Sequence, residues 1–466
     1  LSLSLSPFIP LSPFGVGGGS KFQSPPSPLK NQNSVLCSAL VRECMAVGLL
    51  SHEVSDLCIG KPALRSLPLS ASVADALCSL KRCGETHLAV WRERSPPSAP
   101  PSERRAVSAA AATCLGKVCM VDVICYLCSE ENLESPAAAL RSPVSALLPK
   151  DPGVVIRQVD PHSSVLEAVD VLLGGAQNLM VPLRASGGGG RNNNNNNNKM
   201  QMQQKNGGGV VGCCCCWLTQ EDFVRFFLNS IGVFSPIPAS SVDVLGVVRP
   251  DVLALRYHEP ALSAVPLIRA ALASQTAVAV VTDDGKLIGE ISPSTLANCD
   301  ETVAAAIATL SAGELMAYID SGGLGGPPEE AVRAVKGRLR ERGLHGMLEL
   351  VEDAASTLSS PSSAGTTSSG SSSSSSSDEE SPAGGGRRRG AARYSRSGSY
   401  SARMGRRSED AIVCHPWSSL VAVMIQALAH RVSYVWVVDD DYQLAGVVTF
   451  PDVLTVFREQ LQSFDQ

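Results

Sequence analysis

The chain has 466 residues and a net charge of −5; four stretches without packing pattern, 1–44, 92–113, 184–212 and 354–410, leave 314 residues for ordered structure, so a wholly disordered chain is excluded. Arg387 to Arg407 holds eight Arg and no acid, which leaves −13 on the remainder, and an acidic body argues against nucleic acid as the main partner. The longest apolar stretch, Ala264 to Val281, carries Arg269 and Gln275 and is too polar to cross a membrane, while fifteen Cys in a long chain with no secretory signal read as reduced thiols.

Residues 1–44 are rich in Ser, Pro and Gly and lack an initiating Met, whereas Met45-Ala46-Val47 opens the patterned region. The segment reads as a translated leader upstream of a start at Met45, which places the protein in the cytoplasm. A transit peptide for the chloroplast is the rival reading, since Glu43 is its sole acid.

A repeated pattern then runs down the chain. Leu69-Ser-Ala-Ser-Val73 opens an apolar helical stripe of Val73, Leu77 and Leu80. Pro161-His-Ser-Ser-Val165 does the same with Val165, Val169 and Leu172, Pro260-Ala-Leu-Ser-Ala264 begins a third copy, and Pro416-Trp-Ser-Ser-Leu420 a fourth with Leu420, Met424 and Leu428. The small hydroxyl residues ahead of each stripe suit a helix N-cap.

Each helix is followed by two short apolar runs that read as buried strands: Leu88–Trp91 with Leu115–Val121, Leu179–Leu183 with Cys213–Leu218, Ala277–Thr282 with Leu287–Ile291, and Tyr434–Val438 with Leu444–Val448. In copies three and four the runs are joined by Asp283-Asp284-Gly285-Lys286 and Asp439 to Gln443, compatible with hairpins. In copies one and two, low-complexity insertions occupy the hairpin tip, where added length is cheap. A second helix closes each unit, clearest in Asp222–Leu228 and Asp452–Phe457, and Pro328–Ala355 reads as one or two amphipathic helices. No unit can bury its apolar face alone, so copies one and two should pair, and likewise three and four.

This pattern, and above all Asp439-Asp440-Asp441-Tyr-Gln-Leu-Ala-Gly446-Val-Val-Thr449-Phe-Pro-Asp452-Val453, resembles the CBS (cystathionine beta-synthase) domain with its Gly-x-x-Thr/Ser-x-x-Asp signature. The resemblance covers most of Val54 to Phe457 and is similar to the plant stand-alone CBS-domain proteins and, through them, to the gamma subunit of AMP-activated protein kinase. It implies an α+β fold of four CBS repeats paired into two Bateman modules: residues 45–235, with insertions 92–113 and 184–212, and residues 236–466, with a disordered linker at 354–410.

The resemblance also implies a ligand and residues to hold it. In the family, the Thr/Ser and the Asp three places later flank the adenosine end of a nucleotide such as AMP, ADP, ATP or an S-adenosyl compound. Carried over, the pair is complete as Thr449 and Asp452, kept as Thr219 and Asp222 with Cys216-Trp217-Leu218 in place of the glycine-led strand, and halved as Asp122 with Cys119. Repeat three has Ser292 but Thr295 in place of the acid, so no ribose clamp is expected there. An Asp at this position also caps a helix without any ligand. The implied role is non-catalytic regulation of a partner, such as a protein kinase or another enzyme. A ligand-free interaction scaffold and a redox-linked regulator stay open as alternatives, as does a homodimer in which a disc forms between chains.

The remaining constellations carry little chemistry. Cys213 to Cys216 alternate between the two faces of a strand and cannot all converge on one metal, and Cys125-Tyr-Leu-Cys128 has no second pair at metal-binding distance in the sequence. The seven His are scattered, with His162, His258, His415 and His430 in openings or helices of the repeats. No catalytic triad order, paired-carboxylate signature or phosphate-gripping glycine loop is present, so no enzyme activity is expected. Ser368–Ser377 and the Arg run read as a solvated tether with Ser395, Ser397 and Ser408 as candidate kinase sites, and nuclear import through the Arg run is a weaker expectation.

Overall fold

The computed structural model describes residues 48–83, 86–93, 112–149, 156–183, 215–322, 327–358 and 411–464. The leader, the start at Met45, the insertion 184–212, the Ser tract and the Arg run lie outside these residues, as does most of 92–113 and 354–410.

The expected stripes form helices, and each stripe is the buried side. Repeat one runs β1 (Ser66–Pro68), α1 (Val73–Cys83), β2 (His87–Glu93), β3 (Ala112–Cys119) and α2 (Met120–Leu127). Repeat two repeats the order with β4 (Ile156–Gln158), α3 (Val165–Leu173), β5 (Asn178–Pro182), β6 (Cys215–Thr219) and α4 (Gln220–Asn229). Repeat three is β7 (Ala254–Arg256), α5 (Ala264–Ser274), β8 (Val278–Val281), β9 (Leu287–Ile291) and a single turn, α6 (Pro293–Leu296). Four helices follow: α7 (Val303–Thr309), α8 (Ala312–Gly322), α9 (Glu329–Glu341) and α10 (His345–Leu358). Repeat four closes the chain with β10 (Val413–Cys414), α11 (Leu420–His430), β11 (Tyr434–Val438), β12 (Leu444–Thr449) and α12 (Phe450–Phe464). Caps set where the long helices begin: Ser164 accepts from Glu167 N–H and Ser419 from Ala422 N–H.

Every repeat makes its own three-stranded sheet, with the opening strand parallel to the middle one and the last strand antiparallel to it. Three of the hairpins carry a register shift just past Val90, Val280 or Val437, each of which faces a glycine: Gly116, Gly289 or Gly446. Repeat two has Cys216 at that place and its hairpin runs without a shift, so the missing glycine noted in the sequence has a visible backbone consequence.

The middle strands are buried on both faces. In β8, Val278 and Val280 join one apolar cluster while Ala279 and Val281 join another. In β2, Leu88 and Val90 face the helices, and Ala89 and Trp91 meet Met180 and Cys215 of repeat two. Sheets therefore pair within modules, one with two and three with four. In the second pair, buried Glu290 of β9 accepts from the Tyr434 hydroxyl at 2.8 Å and from Trp436 Nε1 at 2.7 Å.

An arm exchange ties each pair together. The segment ahead of each opening strand crosses to the partner repeat and bridges the start of its first helix: Glu53 with Ser164, Pro143 with Ser72, Ser241 with Ser419 and Ser311 with Pro260. Val54 N–H donates to Ser163 O at 2.9 Å and Val242 N–H to Ser418 O at 2.9 Å. Each pair is thus reciprocal, since each member lends its arm to the other.

The larger cores extend the expected pairing. Pairing within modules alone does not close them, because the helices on the outer faces bury against the opposite module. One apolar cluster joins repeats two and four, and the other joins repeats one and three with α7 to α10. Phe457 of α12 stacks on Phe227 of α4 at 5.3 Å and meets Phe234 edge-on at 4.5 Å. Arg458 pairs with Asp170 across the same seam at 2.7 Å. The four repeats form one body within a single chain. Pro328–Ala355 resolves into two helices with Val335 and Leu339 buried, whereas α7 was not foreseen: all seven of its residues are buried, so it has no polar face to give it a period.

Phe457 is fully buried, so Phe457→Ala should lower unfolding stability by about 3–5 kcal/mol. Denaturant unfolding followed by tryptophan fluorescence checks this, and a change within a few tenths would mean that the seam between repeats two and four does not form.

Candidate functional site

Each hairpin hands the chain from a strand end to a helix, and the third helical residue turns back to cap that junction. In repeat four, Asp452 Oδ2 accepts from the Thr449 N–H at 3.0 Å and from the Thr449 hydroxyl at 2.5 Å. Its other oxygen, Oδ1, accepts from Arg249 Nε at 2.6 Å. Arg249 belongs to the arm of repeat three, and its backbone pairs in both directions with Val447 at 2.9 Å. The approach is so close that a Cβ on Gly446 would lie 2.5 Å from Arg249 O, and Gly446 also sits at φ +65°, so both contact and backbone require glycine there.

Repeat two copies this arrangement. Asp222 Oδ2 accepts from the Thr219 N–H at 2.8 Å and its hydroxyl at 3.1 Å, and Lys61 Nζ donates to Oδ1 at 2.6 Å. Lys61 and Arg249 each stand five places before the opening strand of their repeat, so one arm position supplies a cation to the partner's acid in both modules. The corresponding positions in the other two arms lie outside the described residues.

Repeats one and three depart from this. Asp122 Oδ2 accepts from the Cys119 N–H at 2.8 Å, but no cation is bonded to it among the described residues. Burial pushes its carboxyl above the usual range, pushes the Cys119 thiol up, and holds Lys117 down. Lys117 Nζ donates to Asn178 of repeat two. His87 beside it is depressed to about 3 by burial and by the Lys117 charge. In repeat three, fully buried Ser292 accepts from Thr295 N–H at 3.1 Å and exchanges a hydroxyl bond with it at 2.7 Å. It carries no carboxylate.

A cleft of about 440 Å³ opens where repeats two, three and four meet, within the usual range for small-molecule sites. Thr449, Arg249, Gln220 and Trp436 stand on its wall. Of the five residues singled out in the sequence, Thr449 faces this cleft and Asp452 is bonded to its wall residue Arg249. Thr219, Asp222 and Asp122 do not line it. The arm cations were missed in the sequence because nothing in a lone Lys or Arg marks it as crossing to another repeat.

The other constellations take structural parts. Cys213 and Cys214 lie outside the described residues, while Cys215 and Cys216 point to opposite faces of β6. Burial pushes Cys125 to about 12 and Cys128 upward, so both thiols stay protonated. His162 pairs with Glu53, His258 with Asp283, and His415 bonds Val438 O and stacks on Trp417. No group of three or more His, Cys, Asp or Glu among the described residues is arranged to hold a metal, and no described helix is long and apolar enough to cross a membrane.

No family model matches the chain. It is, however, 45% identical over 427 residues to the CBS domain-containing protein CBSX5 of Arabidopsis thaliana, with 90% of this chain and 100% of the relative covered. It is 21% identical to the SNF1-related protein kinase regulatory subunit gamma-like PV42b of the same plant, over 89% of this chain and 97% of the relative. Among solved structures, a Methanocaldococcus jannaschii protein described as an archaeal homolog of g-AMPK aligns with 87% of this chain and 100% of its own, at 12% identity and a TM-score of 0.47.

The depressed His87 gives a pH signature. Between pH 6.5 and about 3 the unfolded chain binds a proton at this ring that the folded chain does not. Its contribution is therefore present above pH 6.5 and is lost as pH falls, with a slope of up to about 1.4 kcal/mol per pH unit. Urea unfolding between about pH 5 and 6.5, where most carboxylates stay ionised, should show a steeper loss for the native chain than for His87→Gln. Equal slopes would mean that the ring is not desolvated.

Proposed function

The chain belongs to the CBS-domain family, and from that premise we propose that it is a non-catalytic regulatory protein whose inter-repeat cleft takes an adenine nucleotide or nucleoside and whose occupancy is read by a partner enzyme. The observation that carries the reading is the cleft of about 440 Å³ with Thr449 and Arg249 on its wall and Asp452 bonded behind them. The cap bonds hold the Asp452 carboxylate in one orientation, and a cis-diol is a suitable partner for its outward oxygen. Arg249 has a side chain 58% exposed, so it can swing from the carboxylate to a phosphate when the diol arrives.

The same cleft supports a coupling. Its walls come from three repeats and both modules, so a ligand that favours one arrangement of the walls shifts the packing of module against module. A protein-kinase partner is the class favoured by the likeness to the gamma-like regulatory subunit. One observation favours the alternative of a ligand-free scaffold: Asp452 and Asp222 already have both oxygens engaged, by their own cap and by an arm cation.

Calorimetric titration of the full chain with adenosine and AMP decides between the two. A sensor gives saturable heat at one site, weakened at least about tenfold in Asp452→Ala, while the lost cap lowers stability by only about 1 kcal/mol. Neither heat nor a thermal shift in the native chain would leave the scaffold reading.

A further inference from the structure

The wall of the cleft is poor in charge. Among the described residues that line it, Arg249 and Asp251 are the ionisable ones, and Arg249 already holds Asp452 at 2.6 Å. Counted formally, that cation and the two acids sum to −1. The N-terminus of α12 adds a fraction of a positive charge, but Pro451 brings no N–H and the Thr449 N–H is bonded to Asp452. Once released from Asp452, Arg249 can meet one phosphate. No further cation stands on the described wall for a second or third.

A second observation concerns what the uncharged part of a ligand offers. Gln220, the first residue of α4, is 5% exposed and lines the cleft, and its Oε1 accepts no hydrogen bond. An unmet buried acceptor destabilises the empty protein. That oxygen is enclosed in the orientation seen, so a ligand N–H, such as the exocyclic amine of adenine, meets it once the amide turns toward the cleft, where the amide can at the same time donate to a neighbouring ring nitrogen. In repeat four the position equivalent to Gln220 is Phe450, so this polar contact is peculiar to the helix that reaches across from repeat two.

We propose that the cleft selects nucleosides and nucleoside monophosphates over polyphosphates, with Gln220 reading the base. The inference rests on the nucleoside reading of the cleft and adds to it the charge and the donor pattern of the ligand. Arg249 sets the limit of one phosphate, because it is the single cation on the described wall.

The test is titration of the full chain at fixed ionic strength with adenosine, AMP and ATP, repeated on Gln220→Met. Adenosine and AMP should bind at least about tenfold more tightly than ATP, a difference of about 1.4 kcal/mol. Gln220→Met should weaken adenosine by about tenfold while its unfolding midpoint holds or rises, because the unmet acceptor is gone. A residue that merely packs would do the reverse. ATP binding as tightly as AMP overturns the charge selection and leaves the nucleoside cleft standing. Unchanged adenosine affinity in Gln220→Met overturns the role of Gln220. No binding by any of the three removes the nucleoside reading itself, and this inference with it.

Discussion

A three-stranded sheet that is apolar on both faces cannot stand as a unit, and the rest of the architecture answers that constraint. All four residues of β8 and all five of β11 are buried. The helices of a repeat cover one face only, so the second face must meet another sheet. That pairing leaves the outer sides of the helices apolar in turn, and they bury against the opposite module. Two successive burials, sheet on sheet and then helix on helix, are why the units come as four copies in one chain. At the first of these seams the polar groups are matched. Glu290 receives Tyr434 and Trp436 in one module, and Lys117, one place after the repeat glycine just as Glu290 is, reaches Asn178 in the other. A buried group satisfied in only one sliding position fixes the register of two otherwise smooth apolar faces.

What could be read from the amino-acid order followed the physics of each element. Helices with a solvent side, such as α1 with Val73, Leu77 and Leu80 buried, announce themselves by period. Hairpins joined by Asp-Asp-Gly-Lys announce themselves by turn chemistry. The helix α7, buried all round, has no period to find, and the arms have neither period nor turn. Yet the arms did leave a trace: Val54, Val144 and Val242 each stand twelve residues before an opening strand and are fully buried. An alignment of the repeats begun further upstream would have found them. The partners of Asp222 and Asp452 were beyond reach for a different reason. Lys61 and Asp222 are 161 residues apart, and Arg249 and Asp452 are 203 apart, and only the exchange of arms brings them together.

The exchange also explains why the copies have diverged at their acids. The N-cap bond from Asp to the strand-end N–H is common to Asp122, Asp222 and Asp452, so the helix start alone is reason enough for an acid there. What differs is the second oxygen. Where an arm cation reaches it, as in repeats two and four, the carboxylate is ion-paired across the boundary between repeats. In repeat one, where no cation among the described residues is bonded to the acid, burial raises Asp122, and Lys117 donates to Asn178.

On the proposed reading, capping and ligand binding are successive uses of one geometry rather than rival explanations of it. The cap bonds take one oxygen of Asp452 and, by doing so, aim the other at Arg249 and the cleft wall. A carboxylate free to rotate would have to be ordered again by each arriving ligand, at an entropic cost that the cap has already met in folding. On the same reading the arm cation stands in for a ligand, since it pairs with the outward oxygen without closing the cleft. Repeat three shows the limit of this scheme. Ser292 and Thr295 cap the helix with hydroxyls alone, and a junction with no carboxylate has nothing for an arm cation or a ribose to hold.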